Sequence, residues 1–124
     1  MDRILTLVRA RYPMLQLVSH EEERVERALD RLAADESRPL YKWRATTGLV
    51  GPEGQVGESR ALAEALSTFG RLKTPCFLLV HDVAAWWDDP QVRRHLRDLA
   101  RSLGPNQQTA FLLGCEARVP EELE

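Results

Sequence analysis

Apolar residues at Ile4, Leu5, Val8 and Tyr12 fall at helical spacing and stop before Pro13, which predicts a short first helix. Met14 to Val18, MLQLV, is a short apolar run and reads as a buried strand. Ser19 followed by Glu22 fits a capping box. Behind it, Val25, Ala28, Leu29, Leu32 and Ala33 sit at i, i+3, i+4, i+7 and i+8, so one face of a second helix is apolar and the other carries Glu and Arg. Pro39 ends that segment, and Leu40 to Arg44, LYKWR, is aromatic and alternating, as a strand is.

Thr46 to Glu58 contains Gly48, Gly51, Pro52, Gly54 and Gly57 and is the most loop-like stretch of the chain. A third helix is expected from Ser59, with Leu62, Ala65, Leu66 and Phe69 on one face and Gly70 as its stop. Cys76 to Val80, CFLLV, is apolar throughout, which suits a strand covered on both faces, and it runs into His81 and Asp82. Asp89 and Pro90 read as N-cap and first residue of a fourth helix. That helix has Val92, Leu96, Leu99, Ala100 and Leu103 on one face and closes at Gly104-Pro105. Thr109 to Leu113, TAFLL, is the last strand, and Glu116 to Glu124 is a polar, acidic tail. Helices of ten or more residues alternating with strands imply parallel βαβ units with helices on both sheet faces, a three-layer α-β-α architecture.

Composition narrows the function classes. The 124 residues suit one domain, with 17 basic and 19 acidic residues and a net charge of -2. The charges lie in mixed blocks, so neither a nucleic-acid backbone nor a membrane surface is an expected partner. No apolar run approaches the roughly 20 residues that span a bilayer. Two cysteines, Cys76 and Cys115, make no disulfide framework, and a cytoplasmic, reduced protein is expected. There is no internal repeat and no domain boundary, so residues 1–124 read as a single domain. The stop after VPEELE is either a natural end or a cut before a second domain.

The stretches RARYPMLQLVSHEEERV, RPLYKWRATTGL and CFLLVHDVAAWWDDPQVRRHLRDLA resemble the N-terminal domain of a group of bacterial and plastid AAA+ ATPases. The likeness runs from about Arg9 to Glu122, and its more specific parts are Pro13–Val25 and Leu40–Leu49. In that family a degenerate P-loop-fold domain precedes a complete ATPase. The resemblance implies a four-stranded parallel sheet in the order 2-3-4-1. It also implies an ATP- and Mg-dependent module C-terminal to Glu124, and oligomerisation through that module.

Each site offered by such a fold has a chemical reading and a plainer one. A phosphate loop after the first strand needs G-x-x-x-x-G-K-[ST], whose glycines let backbone amides wrap the phosphates. This chain has SHEEERVE, without glycine or lysine. Glu21, Glu22 and Glu23 fall in the positive field of the helix N-terminus, where they repel a triphosphate; the plainer reading is a well-capped helix start. FLLVHD resembles a Walker B strand, with Asp82 where a Mg-directing carboxylate stands, although no P-loop hydroxyl is there to share the ion. In a receiver domain an acidic residue in that place accepts a phosphoryl group. Glu21 and Glu22 imitate the required carboxylate pair, but the lysine after a fifth strand has no counterpart.

His20 and His81 fall at C-terminal strand ends, where α/β proteins bind ligands. They are either metal ligands with Asp82 or turn residues bonded to backbone. Cys76 begins its strand and Cys115 follows its own, too far apart for a disulfide. Of the adjacent Trp86 and Trp87, either one is exposed for a partner, or one caps the sheet edge while the other packs on a helix. The Gly48–Gly57 loop reads as a mobile connection.

The function expected is a non-catalytic interaction or regulatory domain of an AAA+ ATPase, with no cofactor or metal of its own. It docks on a protein partner or on the ATPase ring through loops at the strand C-termini. The candidate contacts are His81, Asp82, Trp86, Trp87 and the Gly48–Gly57 loop. The alternative is a receiver-like signalling module using Asp82.

Overall fold

A computed structural model describes residues 13–57 and 61–114. The expected first helix over Ile4–Tyr12, the Ser59 helix start, Cys115 and the acidic tail lie outside the described residues. The chain forms β1 (Met14–Val18), α1 (Glu22–Asp35), β2 (Leu40–Arg44), β3 (Gly48–Gly51), β4 (Gly54–Gly57), α2 (Leu62–Gly70), β5 (Phe77–Val80), a 3-10 turn (Val83–Trp86), α3 (Pro90–Leu103) and β6 (Thr109–Gly114).

The sheet has six strands, in the order β1-β6-β5-β2-β3-β4. This corrects the expected four-stranded parallel sheet. β1, β6, β5 and β2 pair in parallel, while β3 and β4 add an antiparallel hairpin beside β2. The order of the whole sheet therefore differs from 2-3-4-1; among the four parallel strands alone, that succession is kept.

The hairpin lies where a glycine-rich mobile connection was expected. Its glycines serve bends in a strand pair: Gly48 has φ 75° and Gly54 φ 119°, backbone angles a side chain disfavours. Gly51 runs under the Tyr41 ring, where an added Cβ would lie 2.7 Å from a ring carbon. Leu49 anchors the hairpin, being only 1% exposed. The register steps between Leu49 and Val50, which leaves Val56 of β4 without a residue paired opposite it.

Two apolar layers cover the sheet. On one face, Leu29, Leu32 and Ala33 of α1 meet Leu40, Phe77, Leu79, Phe111 and Leu113. On the other, α2 and α3 bring Leu66, Phe69, Val92, Leu96, Leu99 and Leu103 against Trp43, Leu78, Val80, Ala110 and Leu112. Both neighbours in sequence along β5 and β6 are buried because each strand is covered on both sides. The expected three layers are thus present.

The α3 start forms as its sequence dictates: the Asp89 carboxylate accepts from the Gln91 and Val92 amides at 2.9 and 3.4 Å, with Pro90 opening the helix. The capping box expected at Ser19 does not form. Ser19 Oγ accepts from the Glu21 amide at 3.0 Å, two residues on, and α1 begins at Glu22 with Glu21 as its N-cap. The Glu22 side chain turns instead toward the sheet. Among the described residues, no helix is long and apolar enough to cross a membrane.

Candidate functional site

Parallel strands end together at one rim of the sheet, where backbone groups and loop side chains converge. Here that rim is made by the exits of β1, β2, β5 and β6. At the β1 exit, the Ser19 amide bonds to the Gly114 carbonyl at 3.0 Å, extending the ladder with β6 by one residue. The Glu21 amide is held by Ser19 Oγ. Two of the amides that a phosphate-wrapping loop would turn outward are therefore already bonded within the protein. Glu21 then pairs with Arg24 at 3.0 Å, and Glu23 stands exposed on the same first turn.

The β5 exit carries the most enclosed polar group at this rim. His81 is 1% exposed, and its amide donates to the Trp43 carbonyl at 3.1 Å. Its ring lies between two carboxylates of α1. Nδ1 faces Glu22 Oε1 at 3.3 Å and Nε2 faces Glu26 Oε1 at 3.2 Å. Glu22 and Glu26 are four residues apart, so they project from one side of the helix. Glu26 also accepts from Arg44 at 2.8 Å and lies 3.7 Å from Lys42 Nζ. Lys42 continues to Asp30 at 3.0 Å. A chain of polar and charged contacts thus ties α1 to β2 and β5, with the buried His81 ring between its first two carboxylates.

The sequence pointed to His81, but to either a metal or its local backbone as partner. Its ring finds two helix carboxylates instead, 59 and 55 residues away in sequence. His20 is exposed and is not joined to this group. Among the described residues, no cluster of three or more His, Cys, Asp or Glu side chains is placed to hold a metal ion. The sequence reading missed Glu26, Arg44, Lys42 and Asp30. The available signal was the i, i+4 pair Glu22 and Glu26 beside an apolar helix face.

Asp82 follows His81 and is exposed, with the left-handed angles φ 55° and ψ 40°. Its carbonyl accepts from the Ala85 amide at 3.2 Å, which starts the 3-10 turn. Of the carboxylates that would imitate a receiver's pair, Glu21 bonds Arg24 and Glu22 faces His81.

The turn changes the expectation for the tryptophans. Adjacent indoles diverge from a regular helix or strand, but the 3-10 turn ends between them and lets both reach the same core. Trp87 is buried at 2% exposure. Trp86 is half-buried and stands edge-on to Trp43, with ring centroids 5.6 Å apart and planes at 80°. Only Trp86 of the pair retains surface. The Gly48–Gly57 segment is also placed differently from the expectation. Gly48 lies opposite Arg44 at this rim, but the Pro52-Glu53 tip points to the opposite end of the sheet, beside Pro39 and Tyr41. The candidate contacts therefore do not form one surface: Asp82 and Trp86 share the rim, His81 and Trp87 lie beneath it, and the hairpin tip is remote.

The comparisons agree with the resemblance. The model of the family described as the SpoVK-like AAA ATPase, N-terminal domain, matches residues 1–124. The chain is 28% identical over 127 residues to a protein of Trieres chinensis described as "Uncharacterized AAA domain-containing protein ycf46", covering 99% of this chain and 26% of that protein. A protein of Guillardia theta with the same description is 30% identical over 121 residues, covering 94% of this chain and 24% of that protein. The chain thus spans about a quarter of the length of these curated relatives. No solved structure matches it. This chain belongs to the SpoVK-like family of AAA ATPase N-terminal domains.

Proposed function

We propose that this domain is a non-hydrolysing interaction module that serves an ATPase elsewhere in the same protein. One observation carries the reading: the place of a phosphate loop is filled by the chain's own groups. Glu22 and Glu26 bracket His81 there, and Glu21 and Glu23 sit in the positive end field of α1. A triphosphate would have to displace bonded amides and approach four carboxylates. At the β5 exit the rim offers outward Asp82, exposed, and, at the other end of the 3-10 turn, the half-buried Trp86. An acidic group and an indole at the same exit suit contact with a protein partner or with the cognate ATPase ring.

Calorimetric titration of the chain with ATP and Mg, paired with a phosphate-release assay, tests this. The expected result is no turnover and no binding in the micromolar range. Micromolar binding with phosphate release overturns the proposal. The exposure of Asp82 at a strand exit also favours a second reading, a phosphoryl-accepting module. Incubation with acetyl phosphate followed by intact-mass measurement separates the two, and a mass gain lost in Asp82→Asn would establish the second.

A further inference from the structure

α3 packs against the sheet through Val92, Leu96, Leu99 and Leu103, all buried. Its opposite side carries a ridge the core does not need. Arg94, Arg97 and Arg101 recur at i, i+3 and i+7, so their side chains stand one above another on the solvent face. All three are exposed. Arg94 shares Asp98 at 3.3 Å, both side chains being more than half exposed. Arg97 and Arg101 hold no ion pair or hydrogen bond among the described residues. This basic ridge stands on a chain whose net charge is -2.

Guanidinium forks in a row match carboxylates or phosphates bidentately. Three features favour carboxylates. From Arg94 to Arg101 the ridge is about 10 Å long at 1.5 Å per residue, which is the length of two helical turns rather than of a nucleic-acid track. Asp98 stands within it, repelling a continuous phosphate chain but suiting a partner that carries one basic residue among acidic ones. Finally, the exposed large apolar side chains among the described residues, Val18 and Val56, lie on β1 and β4, so α3 itself carries no exposed apolar wedge for a lipid surface.

We propose that the outer face of α3 docks an acidic polypeptide segment, helical or extended, that presents carboxylates at the spacing of Arg94, Arg97 and Arg101. This names a partner chemistry within the interaction-module reading and rests on it. The ATP titration above does not involve α3, so either reading can fail without the other.

The test uses the 124-residue chain and a fluorescein-labelled peptide with glutamates at i, i+3 and i+7 in an alanine background, followed by fluorescence anisotropy. Binding is expected at low salt and weakened at least tenfold by the triple variant R94E/R97E/R101E. A peptide with lysines in the same places should bind the triple variant better than the original chain. Circular dichroism melts of both chains confirm that the variant folds; if it does not, the single variants R97E and R101E, outside any ion pair, carry the comparison. Equal binding by original and variant chains overturns the proposal, as does no binding at low salt. Stronger binding of duplex DNA or anionic phosphatidylserine vesicles than of the glutamate peptide, lost in the same variants, also overturns it in favour of a phosphate partner.

Discussion

Asp82 holds left-handed angles that cost an ordinary L-residue roughly 1–2 kcal/mol, and the position follows a strand buried on both faces. Aspartate is among the side chains that tolerate this region, because a short polar group bonds locally. The backbone must turn here, since His81 is fixed inside and the 3-10 turn begins at Val83. Asp82→Gly is therefore expected to leave stability within about 0.5 kcal/mol of the original, while the β-branched Asp82→Val should cost about 1–2 kcal/mol. Urea midpoints of the two variants check this. Equal loss in both would mean that the carboxylate, and not the backbone, matters for folding at this position.

Among the elements, α1 is attached in two ways, and only one was legible. Its apolar face was readable from spacing, because residues three and four apart share a side. Leu29, Leu32 and Ala33 are buried as that spacing requires. Its polar attachment was not readable, since His81 meets Glu22 and Glu26 only after β2, β3, β4 and β5 have been laid down. The β3-β4 hairpin was hidden for a different reason. Its strands are four residues long and bounded by glycines, so they lack the branched and aromatic run that marks a strand. The capping box at Ser19 misled because the Glu22 side chain satisfies a buried histidine rather than its own helix end. The two attachments of α1 separate experimentally. Glu26 is the more enclosed carboxylate, 21% exposed against 46% for Glu22, and meets Arg44 and Lys42 as well as His81. Leaving a buried hydrogen-bonding group without its partner costs about 1–3 kcal/mol, and each half-exposed ion pair adds about 0–1 kcal/mol. Glu22→Ala strips only one nitrogen of the His81 ring and should destabilise by about 1–3 kcal/mol, while Glu26→Ala strips the other nitrogen and the partners of Arg44 and Lys42 as well and should cost more than Glu22→Ala, as read from chemical denaturation.

Taken whole, the molecule closes its interior tightly enough to change the chemistry of Cys76. The thiol is fully buried just before β5, and burial pushes it up to about 11, against weaker opposing effects of the Gln108 hydrogen bond and the Arg38 charge. The Tyr41 hydroxyl is also raised, chiefly by burial, with Cys76 and Glu53 adding to it. The direction fixes the pH effect. A group that ionises less readily when folded contributes stability that is complete below its unfolded value, near 9 for the thiol, and is lost as pH rises through about 11. Stability measured in urea with a reducing agent present should be flat from pH 7 to 8.5 on this account and fall between about pH 9 and 11. Cys76→Ala removes the thiol, so its stability should start lower, because a buried group is lost, but decline less steeply over that window. The same enclosure predicts that a disulfide reagent at pH 8 labels Cys76 only as fast as the chain unfolds, with the rate rising in step with urea. Rapid labelling in native buffer, or identical alkaline slopes for the original and Cys76→Ala, would show that the layer between β5 and α2 opens locally rather than with the whole fold.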